Sequence, residues 1–390
     1  KTGSTERINV LAQFDRAGKN AKTTRYALRA GTPLAKDAVQ TYAETNTGDP
    51  RVLIDFLTWG ISTYPAERYM LVIWNHGAGW DDANLYATEP FAGKAVTRRS
   101  ASIVGSRDGD PVPQAHVRAA LARGQRSLFA TTVATAAHSR AIAFDDQAQD
   151  FLDNKELKAV LAAARTLLGR PIDVIGMDAC LMAMAEVGYQ VAPSASVFVG
   201  SQESEPGDGW PYDRILAALD ANPAMDAAAL GKEIVADYVA SYPASEPVTQ
   251  SAVTLAALTE VRKQAGVLGK LLSTALKTPA GLAALAGVRA RVQEYTAPYD
   301  EYVDLHDLAG LLAGSLPDPA IKAACTAVQG AVKGAVLASA TKGKTMAGSH
   351  GISIYFPKRQ VSAQYASLDF ALRSPWTSFI RNYAAAVGKR

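Results

Sequence analysis

The sequence predicts an α/β fold: a three-layer sandwich with a mostly parallel central sheet and an Ala/Leu-rich helical C-terminal half. Two observations carry this. Short apolar runs rich in Val and Ile recur at residues 8–14, 69–74, 172–176, 196–200, 252–258 and 351–356. They alternate too poorly for half-exposed strands, which is how strands covered on both faces read. Helical patterns lie between them, and alternation of the two element types argues for layers around one sheet.

The run at 8–14 opens the series, and that at 69–74 ends abruptly at Asn75-His76-Gly77. Residues 81–140 differ: they hold Lys94, Arg98, Arg99, Arg107, Arg118, Arg123, Arg126 and Arg140 with weak periodicity. They read as an Arg-rich insertion or exposed loop, of the kind that is functional or disordered. The next helix is the clearest. Asp153 and Glu156 have capping-box spacing, Leu157, Val160, Leu161, Ala164, Leu167 and Leu168 form one apolar stripe, and Gly169 and Pro171 end it. The run 172–176 follows at once and stops at Asp178-Ala179-Cys180. Residues 181–187 read as a helix beginning at Cys180, whose N-terminus would favour a thiolate.

From about residue 223 the chain reads as mainly helical. Residues 261–292 suit one long helix or a hairpin broken near Thr278-Pro279, and residues 302–308 start another. The expected division is 1–222 as a core with the insertion at about 81–140, and 223–390 as a helical region whose strands at 252–258 and 351–356 complete that core.

Composition sets bounds. The chain has 390 residues, 48% hydrophobic and 20% charged, enough for a large core. A net charge of +3 is too mild to argue for nucleic acid. No apolar run approaches the roughly 20 residues of a membrane helix. Lys1 to Arg7 is polar without a signal-peptide core, and the chain begins without Met. A trimmed or mature form is therefore expected, any export signal already removed. The two cysteines, Cys180 and Cys325, make no disulfide framework. Cys325 lies in an amphipathic pattern and reads as a small buried apolar residue.

The ends of the runs at 69–74 and 172–176 can bring an imidazole and a thiol together at one sheet edge, where the catalytic groups of open α/β sheets gather. Thiol chemistry needs the thiolate, which a neighbouring imidazole can generate. Gly77 has no side chain to keep a substrate carbonyl from its N–H, a potential oxyanion donor. Each residue also has a plain reading. His76 can be a turn histidine, Cys180 a buried apolar residue, Asp178 a helix cap and Asp208 a turn residue. Glu203 and Glu205 can be solvated acids or calcium ligands, and His350 can be structural.

These residues resemble the clostripain family of cysteine endopeptidases, which have a caspase-like fold. The likeness rests on Trp74-Asn75-His76-Gly77-Ala78-Gly79-Trp80, Phe144-Asp145-Asp146 and Asp178-Ala179-Cys180-Leu181-Met182. Ser201-Gln202-Glu203, Pro206-Gly207-Asp208-Gly209-Trp210 and the stretch from His350 to Pro357 extend it over most of the chain. It implies a His76–Cys180 dyad cutting peptide bonds after Arg, perhaps Lys, with Asp178 and Asp208 reading the positive charge. It also implies self-cleavage at a basic residue in the 81–140 segment and a secreted or cell-envelope bacterial setting. No cofactor is required for the chemistry; calcium stimulation is known in the family, but no calcium-loop spacing appears and any metal ligands are unknown. The alternatives are a catalytically inactive scaffold of the same fold and a non-peptidase acyl hydrolase using the same dyad. The resemblance also implies a central strand upstream of residues 8–14, yet no apolar run precedes Ile8. Either that strand is missing from this numbering or the sheet order differs.

Overall fold

The computed structural model describes residues 2–16, 22–75, 77, 79–80, 142–145, 148, 150–295 and 301–388. His76 and the segment 81–140 lie outside the described residues.

A five-stranded sheet organises the chain. Its strands are β4 (Met70–Trp74), β7 (Ile172–Asp178), β8 (Ala195–Gly200), β9 (Val248–Thr254) and β12 (Val336–Lys342), in the order β12-β9-β8-β7-β4. β4, β7 and β8 pair in parallel, while β9 runs against both β8 and β12. The sheet is therefore mixed: four of its five strands point one way, but only two of its four strand pairs are parallel.

Side chains leave this sheet alternately. Ile175 and Met177 of β7, Phe198 of β8 and Val253 of β9 enter one core. Val174, Val197, Val199 and Ala252 enter the other. The first core is covered by α2 (Asn154–Leu168), α3 (Ala185–Val191), α6 (Leu258–Ala275), α7 (Pro279–Arg289), α8 (Leu305–Ser315), α9 (Pro319–Ala335) and α10 (Pro375–Val387). The second is covered by α4 (Tyr212–Ala221) and α5 (Ala227–Ser241). The result is a three-layer sandwich, and burying both faces explains why the strands read as continuous apolar runs.

Local chemistry sets the helix ends. Asp153 caps α2 with a full capping box to Glu156, and Gly169 closes it in the left-handed region. The 261–292 pattern is two helices: Thr278 accepts from Gly281 N–H and Pro279 opens α7. Asp304 caps α8. Cys325 is fully buried on α9, and burial pushes its thiol up to about 11.

Four expectations change. The run at 8–14 becomes β1 (Leu11–Phe14), which pairs with β2 (Thr24–Ala27) and then β3 (Ala38–Thr41) in a separate antiparallel sheet. The run at 351–356 becomes β13 (Ser353–Tyr355), in another small sheet with β10 (Glu294–Tyr295) and β11 (Tyr302–Asp304). The strand expected at 252–258 ends at Thr254, because Leu255–Ala257 turns straight into α6. The helix expected from Cys180 starts only at Ala185, because Leu181 takes a φ of 64° and Met184 is extended. β5 (Ile142–Asp145) and β6 (Asp150–Leu152) form a hairpin.

The described residues hold no strand between the edges of β1 and β4. β4 is the edge of the main sheet, and among the described residues β1 pairs only with β2. Between them runs a groove of about 1210 Å³. Apolar residues of α1 (Pro50–Thr63), such as Leu53 and Leu57, line one wall; Ile215 and Leu219 of α4 line the opposite one. No residue of α1 is fully buried, although the helix carries Leu53, Ile54, Phe56 and Leu57.

Candidate active site

β4 and β7 set the site by register. Trp74 is paired with Asp178, and the strands leave the sheet together. Positions 76 and 180 each follow a member of that pair by two residues. His76 itself lies outside the described residues, but its neighbour Gly77 does not. A Cβ on Gly77 would stand 2.3 Å from the carbonyl oxygen of Cys180 and 3.0 Å from its nitrogen. The two strand ends thus touch backbone to backbone, a contact only glycine permits.

The rest of the first stretch is held nearby. Gly79, at φ 65°, packs against the carbonyl of Leu181 and the sulfur of Met184. Trp80 is buried, with ring centroids 4.8 Å from Tyr355 and 5.0 Å from Tyr365. Asn154 donates from Nδ2 to the Gly79 carbonyl at 3.3 Å.

Cys180 is half-buried in a turn, not at a helix N-terminus. Its Sγ accepts the backbone N–H of Glu205 at 3.3 Å and lies 3.8 Å from the Glu205 carbonyl. The turn is pinned to the loop after β8: Leu181 N–H donates to Glu203 O and Ala183 N–H to Ser201 O. Ser353 N–H in turn donates to Ala183 O.

Asp178 is almost fully buried under this turn. Its Oδ2 accepts the Tyr212 hydroxyl at 2.6 Å and the Trp210 N–H at 3.2 Å. Gly209, at φ 61°, lies over the carboxylate so closely that a Cβ would be 3.0 Å from Oδ2. Burial pushes the Asp178 carboxyl above the usual range, against the pull of its donors. Asp208 sits half-buried in the turn that Gly209 N–H closes onto Pro206 O.

Sequence reading missed the partner of Asp178. Glu205, read as a solvated acid or a calcium ligand, has its carboxyl against that of Asp178 within hydrogen-bonding reach. Its Oε1 accepts Trp210 Nε1 at 3.4 Å and Gln250 Nε2 at 3.3 Å, and its Oε2 is buried and meets no donor. Burial, then the charge of Asp178, push Glu205 well above the usual carboxyl range. Only the Pro206-Gly207-Asp208-Gly209 turn beside it hinted at a fixed position.

His350 is held against Asp304. Its N–H donates to Asp304 at 2.6 Å, its Nδ1 lies 3.2 Å from Asp304 Oδ1, and Gln202 donates to the same carboxylate. Among the described residues one acidic trio could hold a cation: Asp15, Glu44 and Asp145, with oxygens within 4.8 Å of one another. Asp145 there already accepts the N–H groups of Thr47 and Ala148.

Known proteins resemble this chain in sequence and in fold. Residues 2–92 and 130–383 match the clostripain family, peptidase C11. The clostripain of Hathewaya histolytica is 27% identical over 199 residues, which are 49% of this chain and 28% of that protein. This match thus spans under a third of that relative's length. A secreted C11 cysteine protease from Bacteroides thetaiotaomicron, solved with an irreversible peptide inhibitor, superposes with a TM-score of 0.59 at 21% identity. It covers 95% of this chain and 88% of its own. An inactive zymogen C11 protease from Parabacteroides distasonis gives 0.57 at 18% identity, covering 93% of this chain and 86% of its own. At such identities the likeness speaks for the fold, which is caspase-like. By the extent of the sequence match, the chain belongs to the clostripain family.

Proposed function

We propose that the chain is a cysteine endopeptidase that cuts after arginine, and less readily after lysine, through a Cys180–His76 dyad. The observation that carries this is the in-register pair of strand ends, with Gly77 against the backbone of Cys180 and buried Asp178 beneath it.

In this reading the His76 imidazole takes the Cys180 proton, and the thiolate attacks the carbonyl carbon of the scissile bond. The oxyanion is met by the N–H groups of Gly77 and Cys180. The imidazolium then protonates the leaving amine, so the C–N bond breaks and an acyl-enzyme remains. Water, deprotonated by the imidazole, attacks the thioester; the acid product leaves and the thiol is restored. The Glu205 N–H on Sγ favours the thiolate. Asp178 and the half-buried Asp208 attract the guanidinium of the residue before the cut. The Arg-rich segment 81–140 supplies basic residues for self-cleavage, and the B. thetaiotaomicron relative is described as secreted, as this chain is proposed to be.

Labelling tests the reading. An arginine-directed acyloxymethyl ketone should add one mass increment to the wild type, on Cys180, and none to Cys180→Ala. A lysine or arginine probe that reacts no faster than a neutral one would remove the specificity; no label at all would favour an inactive scaffold.

A further inference from the structure

Asp178 and Glu205 form the least compensated group near the thiol. Two carboxyls within hydrogen-bonding reach of each other cannot both be ionised in a dry site; one must carry the proton that joins them. The surroundings do not relieve them with charge. The groups facing the pair are Tyr212 from α4, Tyr238 from α5, Gln250 from β9, Trp210 and Cys180. All but the thiol are neutral donors, and among the described residues no cation is among the strongest influences on either acid. Apart from the Asp178 carboxyl, Glu205 Oε2 meets no donor, and the hydroxyl of Tyr238, whose side chain is fully buried, has no hydrogen-bond partner.

The two acids differ in access. Asp178 is 3% exposed and sits behind Gly209, Trp210 and Tyr212. Glu205 keeps part of its surface open and its own backbone N–H touches Cys180 Sγ. A substrate side chain arriving next to the thiol therefore passes the loop that carries Glu205.

We propose that Glu205 is a specificity-determining residue: it shares a proton with Asp178 in the empty site and gives that proton up to solvent when a cationic side chain enters. This rests on the proposed cleavage after basic residues. The balance is simple: a carboxylic acid becomes a carboxylate, one proton leaves, and one guanidinium arrives between two carboxylates. Burial, then the Asp178 charge, hold the Glu205 carboxyl well above its usual range. Preference for a cation must then grow as pH rises and removal of that proton becomes easier.

The test uses paired peptide anilides ending in arginine or in citrulline, its neutral isostere. Their kcat/KM ratio cancels the titration of thiol and imidazole, which both substrates share. Across the pH range in which the enzyme is active the wild-type ratio should rise severalfold with pH. In Glu205→Gln, which keeps the backbone contact to Sγ, it should be lower and flat within about twofold; Asp208→Asn should keep the slope. A full slope in Glu205→Gln overturns the proposal. A wild-type ratio near one at every pH overturns the arginine reading instead, and the proton is then read directly. The infrared difference between wild type and Glu205→Gln at neutral pH should carry the C=O stretch of a protonated carboxylic acid, and argininamide should abolish that band in the wild type. Absence of the band overturns the proton-sharing pair whatever the substrate. The wild-type slope and the argininamide effect remain measurable should the variant fail to fold.

Discussion

Trp74 on β4 and Asp178 on β7 are register partners in adjacent parallel strands. Parallel strands in register end at one level, so the residues just beyond them share the same crevice at the carboxyl edge of the sheet. Gly77 and Cys180 meet there through their backbones. The two reactive stretches, about a hundred residues apart in sequence, are therefore joined by the sheet and not by their loops.

The first prediction concerns Cys180. Its side chain makes polar contacts with the backbone of Glu205 at 3.3 and 3.8 Å. Cys180→Ala should cost little stability, with Tm moving less than about 3 °C. Hydrolysis of arginine peptides should fall at least about a thousandfold. On a denaturing gel the active wild type should show two fragments, nicked after a basic residue in 81–140, and the variant one intact band. A nick that persists in Cys180→Ala would assign that cleavage to another protease.

Gly77 gives the second. An added methyl would stand 2.3 Å from Cys180 O, closer than any real contact, and that oxygen is backbone and cannot swing aside. Gly77→Ala must push the two strand ends apart. Thermal unfolding should report a loss of about 1–3 kcal/mol, typical of overpacking, and kcat should fall more than KM rises, because the displaced groups act on the transition state. Unchanged kcat would mean that the Gly77–Cys180 contact has no part in catalysis.

The sequence made some of this visible and hid the rest for physical reasons. Asp153, Glu156 and Gly169 announced α2 because caps are local chemistry, and Thr278-Pro279 announced the break before α7 for the same reason. The apolar run after Cys180 looked helical because Leu181, Met182 and Met184 are all buried. Their burial comes instead from a loop threaded through the core and tied to β13 by the Met184–Ser353 bridge. β12 was invisible: Leu337, Ala338 and Ala340 continue the helical pattern of α9, and only pairing with β9 makes them a strand. Glu205 was misread because glutamates are rarely buried unless paired, and its partner is 27 residues away in sequence, across the sheet edge.

The groove between β1 and β4 yields a third prediction. It exposes half-buried apolar residues from two helices and two strand edges over about 1210 Å³. An anilinonaphthalene dye should therefore fluoresce on the native chain, without denaturant. Leu57→Asp, in the wall of the groove, should lower that signal severalfold, whereas Val267→Asp, at a position 45% exposed elsewhere, should not. No enhancement in the native wild type would mean that the groove is filled.

Glu186 on α3 gives the last. It is fully buried, and its Oε1 accepts Tyr355 N–H at 3.0 Å and the Tyr365 hydroxyl at 2.7 Å, while Oε2 has no partner. Burial lifts its carboxyl to about 7, against those two bonds. A folded-state value above the unfolded one means that the native protein holds the extra proton between about pH 4.5 and 7. The unfolded chain releases it earlier, so this group lowers stability as pH climbs through that window, and the loss is complete above it. Glu186→Gln keeps an acceptor for Tyr355 and Tyr365 but cannot ionise. Its Tm should match the wild type near pH 5 and exceed it increasingly up to pH 8, by an amount on the order of 3 kcal/mol in free energy. Parallel Tm curves for the two proteins over that range would show that Glu186 ionises in the fold as freely as it does unfolded.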